Sequence, residues 1–341
     1  MRELMILKPG PMTTIQDLGR CGYLKYGMPK TGAVDRYAFR LANILVGNLE
    51  GAAAIEATFL GPTIQFEVET VIAITGGEMN PHLDGEEIPS WQAVKVSKGS
   101  RLSFKGLKSG LRSYIAIRGG IDVPEVMGSK STYLRGELGG FKGRKLKQGD
   151  ELSLAKSEVE QNICLNKELP EELVEDYLTD RLVRVIVGPQ DDYFTEKGLN
   201  TFFESEYQLT NQSDRMGCRL AGPTLEYNNG ADIISDGIAL GAIQVSGDGQ
   251  PIIMLADHQT TGGYAKIANV ISVDLPKVAQ AKPGDALSFE EIGVLEAQQE
   301  LMKKEKRITQ LKEWLTVEAK KTKCFKVKVD DKLFEVQIEE V

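Results

Sequence analysis

Short apolar runs bounded by glycine, proline, aspartate or serine dominate the chain. Examples are TIQFEV from Thr63, VIAITGG from Val71, AVKVS from Ala93, RLSF from Arg101 and SYIAIRGG from Ser113. Strand side chains alternate between two faces, and turn formers favour tight connections, so this punctuation predicts many short strands in sandwich or barrel architecture. One early segment has a different period. In DRYAFRLANILVG, Tyr37, Leu41, Ile44 and Leu45 recur at helical spacing and Gly47 supplies a stop.

Two phrases recur. GPTIQF from Gly61 reappears as GPTLEY from Gly222, and KQGDELSL from Lys147 reappears as KPGDALSF from Lys282, which suggests two related strand-rich halves, each closed by a Gly-Asp turn. The expected division is a β-rich domain over 1–154, an acidic linker over 155–180, a second β-rich domain over 181–290 and an extension over 291–341. In the extension, Leu301, Ile308 and Leu315 form one seven-residue row with Leu311 beside it, which predicts a helix docked on its own protein. The final CFKVKVDDKLFEVQIEEV alternates apolar and polar residues across an Asp-Asp-Lys turn and reads as a hairpin.

Composition narrows the function. The 341 residues are 41% hydrophobic, enough for a sizeable core, and the formal net charge of −8 opposes binding to nucleic-acid phosphate. The start is too weakly apolar for a signal peptide, and no run reaches the roughly 18 apolar residues of a membrane span, so the expectation is a cytoplasmic protein with neither nucleic acid nor membrane as partner. The 4 cysteines are scattered and only His82 and His258 are present, so no metal site is expected. Phosphate-loop, dinucleotide-fingerprint, nucleophile-elbow and zinc-protease motifs are all missing; MGSKST from Met127 lacks the first glycine of a phosphate loop.

Four glycine-flanked polar stretches remain. The first, from Thr13 to Asn48, carries Asp17, Arg20, Asp35 and Arg36; here Asp17 and Arg20 could pair to fix a turn, and Asp35 could cap the helix. The second, from Arg118 to Leu146, offers Ser129, Thr132, Arg135 and Arg144 among glycines that let backbone approach a ligand. In the third, SDRMGCRLAGP, Arg215 is either an internal ion-pair partner or a clamp for a small carboxylate. The fourth, from Ser235 to Asp274, crowds Asp236, Gln244, Asp257, Gln259, Thr260, Thr261, Tyr264 and Lys266 beside apolar strands. Burying so many polar groups is costly unless something pairs with them.

These stretches closely resemble the family of the 5-oxoprolinase C component, which overlaps with allophanate hydrolase subunit 2, biotin-dependent carboxyltransferase-like proteins and KipA. The match runs from about residue 4 to about residue 290. The resemblance implies a mainly β fold with some α: two cyclophilin-like β-barrel units, to which this chain adds a C-terminal helix and hairpin. It also implies a complex with the B (KipI-like) and A components of 5-oxoprolinase that converts 5-oxo-L-proline to L-glutamate with ATP, the chain alone being inactive. Alternatives in the family are a carboxyltransferase component acting on a urea-like or amide substrate with carboxybiotin, and a KipA-like antagonist of a kinase inhibitor. Biotin would arrive on another chain, because no Met-Lys-Met occurs here.

Both enzymatic readings need donors for a developing oxyanion and a base near nitrogen or water. Gln259, Thr260, Thr261 and the Gly262 and Gly263 amides suit the donor role. Asp257 is the preferred base over Asp236 and His258, with Tyr264 and Lys266 orienting it. Gln244 lines the substrate, and Arg20 or Arg215 holds its carboxylate.

Overall fold

A computed structural model of the chain describes residues 2–156, 165, 167, 169–174, 181–329 and 332–339. The first half contributes β1 (Leu4–Lys8), β2 (Met12–Gln16), α1 (Arg36–Leu45), β3 (Ala54–Thr58), β4 (Thr63–Phe66), β5 (Thr70–Glu78), β6 (Pro81–Leu83), β7 (Glu86–Glu87), β8 (Ala93–Val96), β9 (Arg101–Phe104), β10 (Ser109–Ile117), β11 (Ile121–Asp122) and β12 (Glu151–Leu154). They divide between a seven-stranded sheet, β11-β12-β1-β4-β9-β6-β7, and a five-stranded sheet, β2-β3-β10-β5-β8.

Strand alternation explains how the five-stranded sheet is covered on both sides. Ile55, Ile72, Ile74, Ile115 and Ile117 point between the sheets and pack with Leu4, Ile6, Ile64, Phe66 and Leu102. Their neighbours Ala54, Ala73, Tyr114 and Ala116 point the other way and meet α1 through Ala38, Leu41, Ala42 and Leu45. Small side chains on that face let the helix approach, and each large apolar side chain so buried is worth roughly 1.5–3 kcal/mol. Helix α1 begins where expected: the Asp35 carboxylate accepts from the Ala38 amide at 3.0 Å, and Gly47, at φ 71°, takes the left-handed turn just beyond its end.

The second half contains β13 (Leu182–Val187), α2 (Glu196–Glu204), β14 (Tyr207–Leu209), β15 (Gly217–Ala221), β16 (Asp232–Gly237), β17 (Ala242–Val245), β18 (Pro251–Met254), β19 (Thr261–Tyr264), β20 (Lys266–Val270), α3 (Leu275–Gln280) and β21 (Ala286–Glu291). Seven of these strands form a closed barrel, β13-β20-β17-β18-β15-β14-β21. A parallel pairing of β13 with β21 completes the ring. Outside it, β16 and β19 make a separate two-stranded ribbon. The Gly-Asp turns precede β12 and β21 as the repeat suggested, but GPTIQF enters β4 whereas GPTLEY lies in a loop with one isolated bridge at Tyr227.

Helix α4 (Val294–Lys321) docks on both halves. Glu300 meets Arg184 of the barrel, while Glu305 accepts a forked pair from Arg40 of α1 at 2.5 and 2.7 Å. Ile308 and Leu311 of the expected apolar row are buried against α1, with Leu315 partly buried; Leu301 remains exposed. The final hairpin is β22 (Thr322–Val329) with β23 (Lys332–Glu339). Most of the acidic segment expected as a linker lies outside the described residues, although Leu169 and Leu173 are buried beside α1. Among the described residues, no helix is long and apolar enough to cross a membrane.

Candidate functional site

The halves meet along a buried polar seam. Glu56 stands opposite Tyr114 in the β3–β10 register, on the helix-facing side of the sheet, and accepts from the Tyr114 hydroxyl at 2.8 Å and from the Val34 amide at 3.1 Å. Its other oxygen takes Arg215 from the barrel side. Arg215 also forks onto Asp257 at 2.9 and 3.0 Å and donates to the Gly32 carbonyl at 2.6 Å. Burial alone would depress the Arg215 guanidinium; Asp257 and Glu56 outweigh it and raise the group above its ordinary value. Desolvation wins at Asp257, whose carboxyl is pushed up despite Arg215.

Around this triad the seam is tied at further points. Arg20 donates to the Thr31 hydroxyl at 2.6 Å and to the Ser131 carbonyl at 2.5 Å, and the Thr31 amide reaches the Ala256 carbonyl at 3.0 Å. Gln280 of α3 accepts from the Leu111 and Arg112 amides and donates to Asp35 at 2.8 Å. Asp17 does not hydrogen-bond Arg20; it gathers the Gly19 amide, the Ser129 and Ser131 hydroxyls and the Lys130 amide. Ser129 and Thr132 serve this internal network, Arg144 forks onto Asp150 at 2.7 and 2.8 Å, and Arg135 is exposed.

A second polar cluster lies where the ribbon leaves the barrel. Gln244 of β17 and Lys266 of β20 are register partners, so their side chains are neighbours on one face. Lys266 is buried along its stem, and its ammonium reaches the exposed Asp236 at 2.7 Å and the Gly237 carbonyl at 3.2 Å. The Lys266 hydrogen bond, followed by the Gly237 amide, holds the Asp236 carboxyl below the usual range. Asp236 is itself paired with Gly262 across the ribbon. Gly262 lies so close to Gln244 that a Cβ there would sit 2.7 Å from its Nε2 and 2.7 Å from Ile238 Cδ1. Gln244 Nε2 donates to the Tyr264 carbonyl at 3.2 Å, whereas its Oε1 is buried with no hydrogen-bond partner. Among the described residues seven other buried side-chain polar atoms are open in the same way, Gln16 Oε1 and Arg20 Nε among them, so this acceptor stands out for its place beside Lys266.

The residues singled out from sequence therefore fall into two groups. Arg20, Arg215 and Asp257 belong to the seam, while Asp236, Gln244, Gly262, Gly263, Tyr264 and Lys266 belong to the ribbon cluster. Gln259, Thr260 and Thr261 connect them; Gln259 and Thr261 are exposed, and the Thr260 carbonyl accepts from the Ile238 amide at 3.0 Å. His258 is buried with its Nδ1 at 2.6 Å from the Gln259 carbonyl, and desolvation lowers its pKa. Sequence reasoning did not single out Glu56, Thr31, Tyr114 or Gln280. Each acts through a distant partner; Glu56, Tyr114 and Gln280 stand in a strand or helix with no local polar signature, and Thr31 lies unmarked within the first polar stretch.

Comparison with known proteins agrees with this architecture. Residues 26–291 match the family described as carboxyltransferase domain, subdomain A and B. The C component of Escherichia coli 5-oxoprolinase is 38% identical over 294 residues, covering 86% of this chain and 93% of the relative. Saccharomyces cerevisiae urea amidolyase is 42% identical over 299 residues, but those span only 16% of its length. The Kluyveromyces lactis urea carboxylase structure superposes with a TM-score of 0.85 at 35% identity, covering 90% of this chain and 29% of that one. The chain thus belongs to the carboxyltransferase-domain family of subdomains A and B, the family that includes the C component of 5-oxoprolinase.

Proposed function

We propose that this chain is the C component of an ATP-dependent 5-oxoprolinase and that, with the A and B components, it converts 5-oxo-L-proline to L-glutamate. Two bacterial relatives that carry this name support the reading, each matched over 86% of this chain and over 92–93% of its own length. The observation that carries the site assignment is the Gln244–Lys266 cross-strand pair. A lactam presents an N–H beside a C=O, and the pair offers an open buried acceptor beside an ammonium.

In this reading Gln244 Oε1 accepts from the lactam nitrogen, while Lys266, with the amides of Gly262 and Gly263, faces the carbonyl oxygen as negative charge develops. ATP enters as co-substrate and supplies the activation that makes a stable amide cleavable. Asp236, exposed and next to Lys266, is the carboxylate placed to take a proton. Asp257, buried at the seam away from the ribbon's exposed edge, contributes by holding Arg215. Thr260 and Thr261 join the ribbon to the seam, Tyr264 borders the exposed side, and Arg20 ties the Thr31 loop to Ser131. Ribbon exposure also suits a site that a second chain completes: Ile234 is 94% exposed and Tyr264 39%.

The test is reconstitution with the A and B components. Release of glutamate from 5-oxoproline that requires ATP and all three chains is expected. Transfer of labelled carboxyl from carboxybiotin to urea or an amide, with no glutamate release, would replace this reading by the carboxyltransferase one. A biotin ureido group also presents N–H beside C=O, so the same cluster fits biotin delivered on another chain.

A further inference from the structure

A cleft of about 400 Å³ opens in the first half, lined by residues from four separate parts of the chain. One wall is the turn after α1, from Gly47 to Ala53, and others come from Gly119 and Ile121, from Asp17 with Lys130, and from Ala155 with Lys156. A volume of this size is in the range of small-molecule sites. The walls are already tied together. Asn48 donates to Asn43 Oδ1 at 3.0 Å and to the Ile117 carbonyl at 2.9 Å, and it accepts from the Gly119 amide at 2.7 Å. Asp17 does the same for the opposite wall through the Lys130 amide at 2.6 Å and Ser129 at 2.7 Å.

The charges are unevenly spent. The Asp17 carboxylate is covered by its four donors, and Glu125 is exposed at the rim. Lys130 and Lys156 both line the cleft, and neither ammonium has a hydrogen bond or ion pair with any described residue. Two cations without a partner among the described residues, in one glycine-lined cleft, favour an anion as its occupant.

We infer that this cleft is a binding site for a small carboxylate, apart from the ribbon cluster, with Lys130 and Lys156 holding the anionic group. The choice of compounds rests on the proposed function, whose substrate and product both carry carboxylates. A site here would let the concentration of one of them act on the chain away from the reacting centre.

The experiment is calorimetric titration of 5-oxo-L-proline, and separately of L-glutamate, into the full chain without the A and B components. With the chain carrying Lys266→Met, so that the ribbon cluster lacks its ammonium, at least one should bind, with Lys130→Ala or Lys156→Ala weakening Kd about tenfold and the two together abolishing binding. Absence of binding by both compounds, or equal binding when Lys130 and Lys156 are also replaced, would each overturn the inference. Both lysines reach solvent, so unaltered melting of their variants is expected, and Lys156→Glu provides a second substitution at an exposed position. Because no turnover is measured, failure of reconstituted glutamate release would leave this result standing, and the reverse also holds.

Discussion

The seam and the ribbon cluster are both polar and both contain a cation beside a carboxylate, yet they are finished differently. At the seam, Arg215 spends all three guanidinium nitrogens on Glu56, Asp257 and the Gly32 carbonyl, and all three charged side chains are buried. In the cluster, Lys266 reaches out to an exposed carboxylate, and its neighbour Gln244 keeps an open acceptor. Complete pairing inside the protein makes a joint that resists change, because breaking it strands a buried charge. Incomplete pairing at the edge of solvent leaves capacity for a ligand. The density of polar residues in the sequence marks both places; the pairing of the Arg215 triad and the exposure of the Lys266 partner separate them.

The largest effect should come from attacking the joint. Arg215→Met leaves Glu56 and Asp257 buried without a counter-charge, so a stability loss of about 3–5 kcal/mol is expected from denaturant unfolding. Arg215→Lys should recover only part of it, since an ammonium cannot supply the forked contact. An Arg215→Met protein that unfolds at the wild-type midpoint would show that the seam does not hold the halves together.

Next comes the cluster. Lys266→Met keeps the apolar stem and removes the ammonium, leaving Asp236 to water. Turnover by the reconstituted complex should fall about 10²–10³-fold, the usual cost of losing one oxyanion donor, while the melting temperature stays close to wild type. A smaller effect is expected of Gly262→Ala, whose added carbon would crowd Gln244 Nε2 and Ile238. A loss of about tenfold in kcat/KM without a change in stability would place the Gly262 contact at the site. Equal losses of stability and activity in either variant would erase the distinction between cluster and seam.

Much of this molecule was legible because its patterns are local. Alternation announced the strands, the 3.6-residue spacing from Tyr37 to Leu45 announced α1, and the row through Ile308 and Leu311 announced the docked face of α4. Within the candidate site, Asp236, Gln244 and Lys266 were visible as polar residues beside apolar runs. Their mutual placement was not, because it depends on the register that sets Gln244 opposite Lys266 and Asp236 opposite Gly262. Glu56 gave no signal at all. It sits in AIEAT, an ordinary strand, and meets Arg215 across 159 residues of chain. Long-range ion pairs leave no periodicity to read, and the same holds for Gln280 reaching Asp35.

The finest test of the comparison is its dependence on pH, with Asp257 at the seam set against Asp274 beneath α4. Burial raises the Asp257 carboxyl above its ordinary 3.8 even though Arg215 opposes the shift. A raised folded pKa gives stability that is present below 3.8 and lost as pH rises through the folded value. Burial also acts on Asp274, but hydrogen bonds from the Arg184 side chain and amide outweigh it, and the carboxyl lies below 3.8. Its contribution has the opposite sign: present above 3.8 and lost as pH falls through the lower folded value. In urea unfolding at steps from about pH 2 to about pH 7, Asp257→Asn should therefore gain on wild type as pH rises above 3.8. Asp274→Asn should lose ground between its folded pKa and 3.8 and show a constant deficit above. Each difference is small beside the loss expected for Arg215→Met, but their slopes are opposed. Parallel slopes would mean that the two carboxylates feel the same balance of burial and pairing, and the seam would then have no special place among the buried ion pairs of this chain.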